Sequence, residues 1–395
     1  MSHALYLAWA YLRFHKVMSA VLVLALALIV VVPLATRMLL TASERQLTAR
    51  AEATPLVLGA RGSALDLIMN GLYFTDDRPE TVSMASSEEI WDSGLAAAIP
   101  VHVRFEAQGA PIVGTTLDYF DFRHLEIAQG RQLAVLGEAV LGAQAARHLG
   151  LGPGDTLISS PENLFDLAGT YPLKMAVVGV LAPTGSPDDR AVFVDLKTAW
   201  VIEGLGHGHA EVAAGEAPEA VIERRDDNVV AGAALTEFTE ITAENIDSFH
   251  FHGDPSSYPL SLVIAAPDDA RSATILQGRY LDPEQPLQIL EPAAVIDELL
   301  DTIFRIGRVL DLVVLIVALA AALAIALAVY LSLQLRRPEI ETIFKLGCRR
   351  LTIARLMAAE AGIVLTISFA LVAATLWLLS FAADDVAVRL LASTP

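Results

Sequence analysis

The chain has 395 residues, 54% of them hydrophobic, and a formal net charge of −19 at pH 7. That acidity excludes nucleic acid as a ligand of the exposed part, because phosphate binding needs a cationic face. The single cysteine, Cys348, excludes a disulfide framework, so any exposed domain must be held by an ordinary hydrophobic core.

Residues 1–16 form a short N-terminal segment containing Arg13 and Lys16. Val17–Ala35 follows as an apolar run interrupted only by Ser19 and Pro33. At roughly 20 residues per span this run can cross a bilayer. It lacks a small-x-small cleavage site before Thr36, so residues 17–40 are expected to stay as a membrane helix that starts a stalk. Between Arg37 and Arg308 there are 18 basic and 40 acidic residues, a net charge of −22. Two further apolar runs follow: 309–335, with Asp311 near one end as an interfacial group, and 361–383, in which Gly362–Ala383 has no charge. Between them, Arg336–Arg355 holds six basic and two acidic side chains. The bias of basic residues places 1–16 and 336–360 in the cytoplasm, 41–308 outside, and 384–395 outside as a tail.

Inside 41–308, strand-like and helical runs alternate. Ser43–Thr54 reads as a helical stalk, Pro55–Leu58 as a strand and Ser63–Tyr73 as a helix. Ile99–Phe105 and Leu133–Leu136 read as strands, and Glu138–Leu149 as a helix ended by the turn Gly150–Asp155. Strands are expected at Lys174–Leu181, Ala191–Val194 and Ser261–Ala265, with helices at Leu196–Ile202 and Asp268–Gly278. Gly204–Gly215 and Arg224–Gly232 read as surface loops. Pro292–Arg308 has apolar residues at helical spacing and reads as a second stalk. The expected fold is therefore a membrane protein with three transmembrane α-helices. A large α+β periplasmic domain, of about two subdomains, lies between the first and second on helical stalks.

The chemistry-bearing motifs are few. There is no G-x-x-x-x-G-K-[ST], H-E-x-x-H, cysteine-pair metal site or G-x-S-x-G elbow, so no catalytic residue is assigned and any ATPase activity belongs to another chain. Two histidine pairs stand out, His207-Gly208-His209 and His250-Phe251-His252. At i, i+2 on an extended segment both rings of a pair point to one side, so each pair offers two imidazole nitrogens to zinc or a similar metal. The alternative is that they are polar loop residues without a ligand, and nothing in the sequence shows that the pairs meet.

The connection at 336–360 reads as a docking element for a cytoplasmic motor. Pro338 suits the first turn of a helix, Glu339 favours its positive end, and Ile340, Ile343 and Phe344 would form one apolar face. Arg336, Arg337, Glu341, Lys345 and Gly347 complete the block. The sequence Arg336-Arg337-Pro338-Glu339-Ile340, then Leu346-Gly347 and Glu360-Ala361, resembles the cytoplasmic connection of MacB/LolC/FtsX-type ABC transporter permeases. The external segment resembles the MacB-type periplasmic core in five motifs taken in order. These are Gly130-Arg131, Ala134–Glu138, Gly152–Asp155, Val177–Leu181 and Val192–Leu196. The family pattern's fourth span has no counterpart in Asp384–Pro395.

The resemblance implies a multi-pass permease of the bacterial inner membrane that acts by mechanotransmission. Its implied partners are two copies of a cytoplasmic ABC ATPase, which would hold ATP and magnesium, a second permease copy in a homodimer, the lipid bilayer, and a periplasmic adaptor or substrate-binding protein. The expected output is export or extraction of a periplasmic or membrane-derived substrate. Two alternatives stay open: an FtsX-like transducer that regulates a periplasmic partner without transport, and a zinc-linked system that uses the histidine pairs.

Overall fold

The computed structural model describes residues 2–160, 172–209, 221–225, 228–231, 239–335, 337–345 and 350–392. The chain divides into two units, Met1–Arg45 with Leu300–Thr394, and Gln46–Leu299. Helix α1 (Ser2–Phe14) is followed by α2 (Lys16–Glu52). The stretch Lys16–Leu39 of α2 is long and apolar enough to cross a membrane. The last turns of α2, from Gln46, belong to the second unit.

The second unit begins with β1 (Leu56–Ala60), α3 (Ala64–Tyr73), β2 (Val82–Ser83) and α4 (Met84–Asp92). Next come the long strand β3 (Ala96–Ala107), β4 (Ala110–Thr115), α5 (Leu117–Phe122) and β5 (Ile127–Gly130). Its middle holds β6 (Glu138–Leu141), α6 (Ala143–Leu149), β7 (Thr156–Ile158), β8 (Lys174–Leu181), β9 (Val192–Asp195) and α7 (Leu196–Ile202). Short strands β10 (Gly206–Gly208), β11 (Val221–Arg225), β12 (Asn228–Ala231) and β13 (Phe249–Phe251) follow. The unit closes with β14 (Pro259–Leu260), β15 (Leu262–Pro267), α8 (Ala270–Arg279) and β16 (Leu287–Leu290).

Ten strands make one mixed sheet in the order β16-β1-β15-β3-β4-β9-β6-β8-β5, with β7 also paired to β8. The pairs β4·β9 and β6·β8 are parallel. Two apolar clusters line the sheet. One gathers Ile112, Leu141, Leu157, Met175, Val177 and Val194; the other gathers Leu58, Ile90, Trp200, Tyr258, Leu260 and Val263. Each such side chain contributes about 1.5–3 kcal/mol on burial, which is how a domain without disulfides holds together.

Local chemistry sets the element ends. Ser63 caps α3 by accepting from Asp66 N, Asp195 caps α7 by accepting from Lys197 N, and Gly150 ends α6 in the left-handed region at φ 67°. Three expectations shift. Leu133–Leu136 is not a strand, because the Glu138 carboxylate accepts from Ala134 N at 2.8 Å and Val135 N at 3.3 Å and satisfies that loop locally. The strand begins at Glu138 instead, and the helix expected from Glu138 starts at Ala143. The two expected loops each carry strand, β10 in the first and a β11·β12 hairpin in the second; their remaining residues lie partly outside the described ones.

After the sheet, α9 (Pro292–Leu335) runs unbroken through the expected second stalk and span. It is followed by α10 (Arg337–Lys345) and α11 (Arg350–Ala392). In α11, Ala354–Phe381 is long and apolar enough to cross a membrane. The helix continues past Ala383, where the sequence places neither proline nor glycine before Ala392. Ser368 Oγ of α11 reaches Val23 O of α2 at 3.4 Å, and Ala27, Val364 and Val372 are buried.

One buried polar network stands apart from the apolar cores. Arg50, near the end of α2, donates to both oxygens of Asp188 (2.5 and 2.9 Å), to Tyr119 Oη (2.6 Å) and to Leu72 O (3.1 Å). Asp188 also accepts from Tyr119 Oη at 2.7 Å and Ser186 Oγ at 2.9 Å. Arg50 is 6% exposed, Asp188 1% and Tyr119 0%. Burial opposes the Asp188 charge, but Arg50 overcomes it and holds the carboxyl below its usual range. Burial likewise opposes the Arg50 charge, and Asp188 reverses that, so the guanidinium is raised further.

Arg50→Met strands a buried carboxylate, so it should cost about 3–5 kcal/mol in denaturant unfolding of the detergent-solubilised chain, with partial recovery in Arg50→Met/Asp188→Leu. The depressed carboxyl lends stability that is complete above the ordinary aspartate pKa of about 3.9 and is lost as pH falls through its lower folded value. Acid titration of wild type should therefore show a larger stability loss below about pH 4 than the double variant, which keeps only the contribution of other depressed carboxyls such as Glu138.

Candidate functional site

The four histidines of the two sequence pairs meet on one small ribbon. Two residues after α7, Gly204 sits at φ 85°, and the Leu205 N to Trp200 O bond of 2.9 Å turns the chain into β10. β10 pairs antiparallel with β13, so that Gly206 faces Phe251, His207 faces His250 and Gly208 faces Phe249. On one face of this ribbon a Cβ at Gly206 would sit 2.6 Å from the Phe251 ring, and one at Gly208 would sit 2.6 Å from the Phe249 ring. The two phenylalanines thus cover bare backbone and pack on the cluster built by β6, β8 and β9. A one-residue slip would turn both rings outward, so the register is fixed.

The other face receives the imidazoles. Ring centroids lie 4.8 Å apart for His207–His250, 4.9 Å for His207–His252 and for His250–His252, 5.1 Å for His209–His250 and 5.8 Å for His207–His209. One nitrogen from each of His207, His209 and His250 can be chosen so that all lie within 4.8 Å of one another. His250 Nδ1 is 3.0 Å from Ser248 O. A carbonyl only accepts, so Nδ1 is the protonated nitrogen of this contact, and in the neutral ring the lone pair falls on Nε2. The neighbouring segment is held by Tyr258 Oη donating to His252 O at 2.9 Å and by His252 N donating to Leu205 O at 3.1 Å. Asp254, the carboxylate near the second pair, instead accepts from Ser256 N at 3.0 Å as a turn cap.

The motif residues of the external segment have structural duties. Arg131 Nη1 donates to Glu138 Oε2 at 2.7 Å. Burial opposes the Glu138 charge, and Arg131 with the Ala134 and Val135 amides outweighs it and lowers the carboxyl. Gly130 pairs with Gly179, where a Cβ would lie 2.1 Å from Val178 O and 2.3 Å from Arg131 O respectively. Gly154 N donates to Val177 O at 2.8 Å, and Asp155 accepts from Gly152 N at 2.8 Å.

Of the docking block, α10 contains Arg337, Glu339, Ile340, Glu341, Ile343, Phe344 and Lys345, while Arg336 and Gly347 lie outside the described residues. Arg337, Glu341 and Lys345 are exposed and Phe344 is 49% exposed. Thr342 Oγ1 donates to Pro338 O at 2.8 Å. The Arg50–Tyr119–Asp188 network was not legible in the sequence. Arg50 and Asp188 are 138 positions apart, and the only local sign is Asp188 in a Ser-Pro-Asp turn.

The profile of the MacB-like periplasmic core domain matches residues 19–228, over half of the chain. Among solved structures, the periplasmic region of MacB from Actinobacillus actinomycetemcomitans aligns at 11% identity and a TM-score of 0.33, covering 64% of this chain and 97% of that one. The extracellular domain of the ABC-type transporter YknZ from Gram-positive bacteria aligns at 12% identity and a TM-score of 0.31, covering 60% and 98%. No curated protein sequence matches. On the strength of the profile match, the chain belongs to the family of the MacB-like periplasmic core domain, that of the MacB/LolC/FtsX-type ABC transporter permeases.

Proposed function

We propose that this chain is the membrane subunit of a mechanotransmission ABC transporter, in which a separate cytoplasmic ATPase does the chemistry and the external domain carries out the work. The observation that carries this reading is α10, a separate nine-residue helix between the long helices α9 and α11, in a chain whose external unit belongs to the MacB-like family. A short helix of this kind, with Arg337, Glu341 and Lys345 exposed and Phe344 half-exposed, offers one aromatic anchor ringed by charges. Such an anchor suits a groove on a soluble partner better than a lipid surface, where Glu341 would gain nothing beside anionic headgroups. The residues that bind nucleotide in P-loop motors are missing from the sequence, which leaves ATP and magnesium to the partner.

In this reading three spans, 17–40, 309–335 and 361–383, cross the inner membrane with the N-terminus inside, and two permease copies pair with two ATPases. Closure of the motor dimer around ATP would displace α10 in each permease. Helices α2 and α9, which run without a break from apolar segment to domain sequence, would carry that displacement. The substrate class favoured is a periplasmic or membrane-derived molecule. No charged residue interrupts Gly362–Ala383, which disfavours a polar passage through that helix.

Phe344→Asp and Glu341→Lys should leave the chain in the membrane fraction but reduce the ATPase activity that co-purifies with it, by tenfold or more for Phe344→Asp, since loss of a desolvated aromatic anchor costs about 2 kcal/mol or more. Undiminished activity in both eluates would overturn the assignment of α10. Asp92→Cys, on the exposed side of α4, should react with a membrane-impermeant maleimide in spheroplasts, whereas native Cys348 should react only after permeabilisation. The opposite labelling pattern would invert the topology and remove the docking argument with it.

A further inference from the structure

We propose that the β10·β13 ribbon is a binding site for a divalent transition-metal cation of the zinc class, with His207, His209 and His250 as primary ligands and His252 completing the set. The site goes beyond the transport reading and does not depend on it, because every group in it lies within the external unit.

The geometry of the donors comes first. A metal–imidazole bond of about 2.0–2.1 Å in a tetrahedral set separates its nitrogens by about 3.4 Å. The three nitrogens already lie within 4.8 Å of one another, so side-chain rotation alone closes the remaining gap of about 1.4 Å. The His252 ring, 4.9 Å from both His207 and His250, is within reach of the fourth position.

Donor chemistry sets the metal class. An all-imidazole set suits zinc, copper or nickel and is a poor match for magnesium or calcium, which take oxygen ligands. The carboxylate nearest in sequence to His252 among the described residues, Asp254, is engaged in its own turn. His250 shows the contact that ligating histidines use, with Nδ1 held by a backbone carbonyl, which leaves Nε2 as the donor atom of the neutral ring.

The backbone supplies the third argument. The rings are gathered by a strand register that the Gly206–Phe251 and Gly208–Phe249 contacts fix from the opposite face. The ligands therefore need not be ordered by the metal, and little ordering entropy opposes binding. His207, His209 and His250 are half-buried and His252 is exposed, so an aqueous cation can reach them.

The test uses the full chain in detergent, stripped of metal with a chelator. Zinc titration by calorimetry should give one site per chain. Cobalt loading should give the intense visible bands of a tetrahedral nitrogen-ligated centre, which zinc displaces and excess magnesium does not. His207→Ala/His250→Ala should weaken zinc at least a hundredfold and abolish those bands, while His148→Ala, an exposed histidine on α6, should match wild type. Melting of the metal-free double variant should equal that of metal-free wild type, which separates lost ligands from lost fold, and only wild type should melt higher with zinc. Equal zinc affinity in wild type and the double variant, or octahedral cobalt spectra in wild type, would overturn the site.

Discussion

The domain is organised around a single charge that it cannot leave unpaired. Arg50 lies at the end of a helix that begins as an apolar segment, and its guanidinium is buried against Asp188, Tyr119 and Leu72. An isolated cation there would be costly to desolvate, so the settled end of α2 and the turn that carries Asp188 depend on one another. That turn is shaped in detail: Ser186 caps it, Asp189 accepts from Thr184 and Gly185, and Gly142 makes room for it where a Cβ would lie 2.2 Å from Asp188 O. Tyr119 then links the same carboxylate to α5 and stacks near Phe193 of β9, at 5.6 Å between centroids. One ion pair thus ties the end of α2 to α3, to α5 and to the turn of Asp188 in a single knot.

A knot of this type matters for a protein proposed to transmit force. Apolar contacts are non-directional and let a helix end slide, whereas a bidentate guanidinium–carboxylate pair fixes both distance and angle. Its neighbour Arg123, whose charge is disfavoured first by burial and then by Arg50, donates to Thr54 Oγ1 at 2.7 Å and secures the segment that follows α2. The end of α2 is therefore held to its domain by directional contacts as well as by apolar ones.

How much of this was legible in the sequence depends on the range of the interactions. Strands β3, β8, β9 and β15 and helices α3, α7 and α8 are set by runs of apolar residues and by caps a few positions away, and those signals are local. β6 was misread because Glu138 acts twice, as the first strand residue and as the acceptor that closes the preceding loop, and only the fold shows the second role. The i, i+2 histidines were legible as pairs because strand alternation is a property of the backbone. Their meeting was not, because it rests on pairing between segments more than 40 positions apart, one of which reads as a glycine loop. The buried network was hidden for the same reason, over a longer separation. Arg337–Lys345 was readable as a helix from Pro338 and the acidic residue after it, without reference to any distant contact.

The β10·β13 ribbon has two faces with unequal obligations. At Gly206, Gly208, Phe249 and Phe251 the fold accepts almost nothing else, since a larger residue collides and a smaller one opens a void beside the sheet. At His207, His209, His250 and His252 folding is permissive, and threonine, serine or valine would pair across the strands at least as well. Drift under selection for stability alone would scatter such positions among many residue types. Histidine at all four of these positions, two in the paired strands and two flanking them, is not something the strand pairing itself requires.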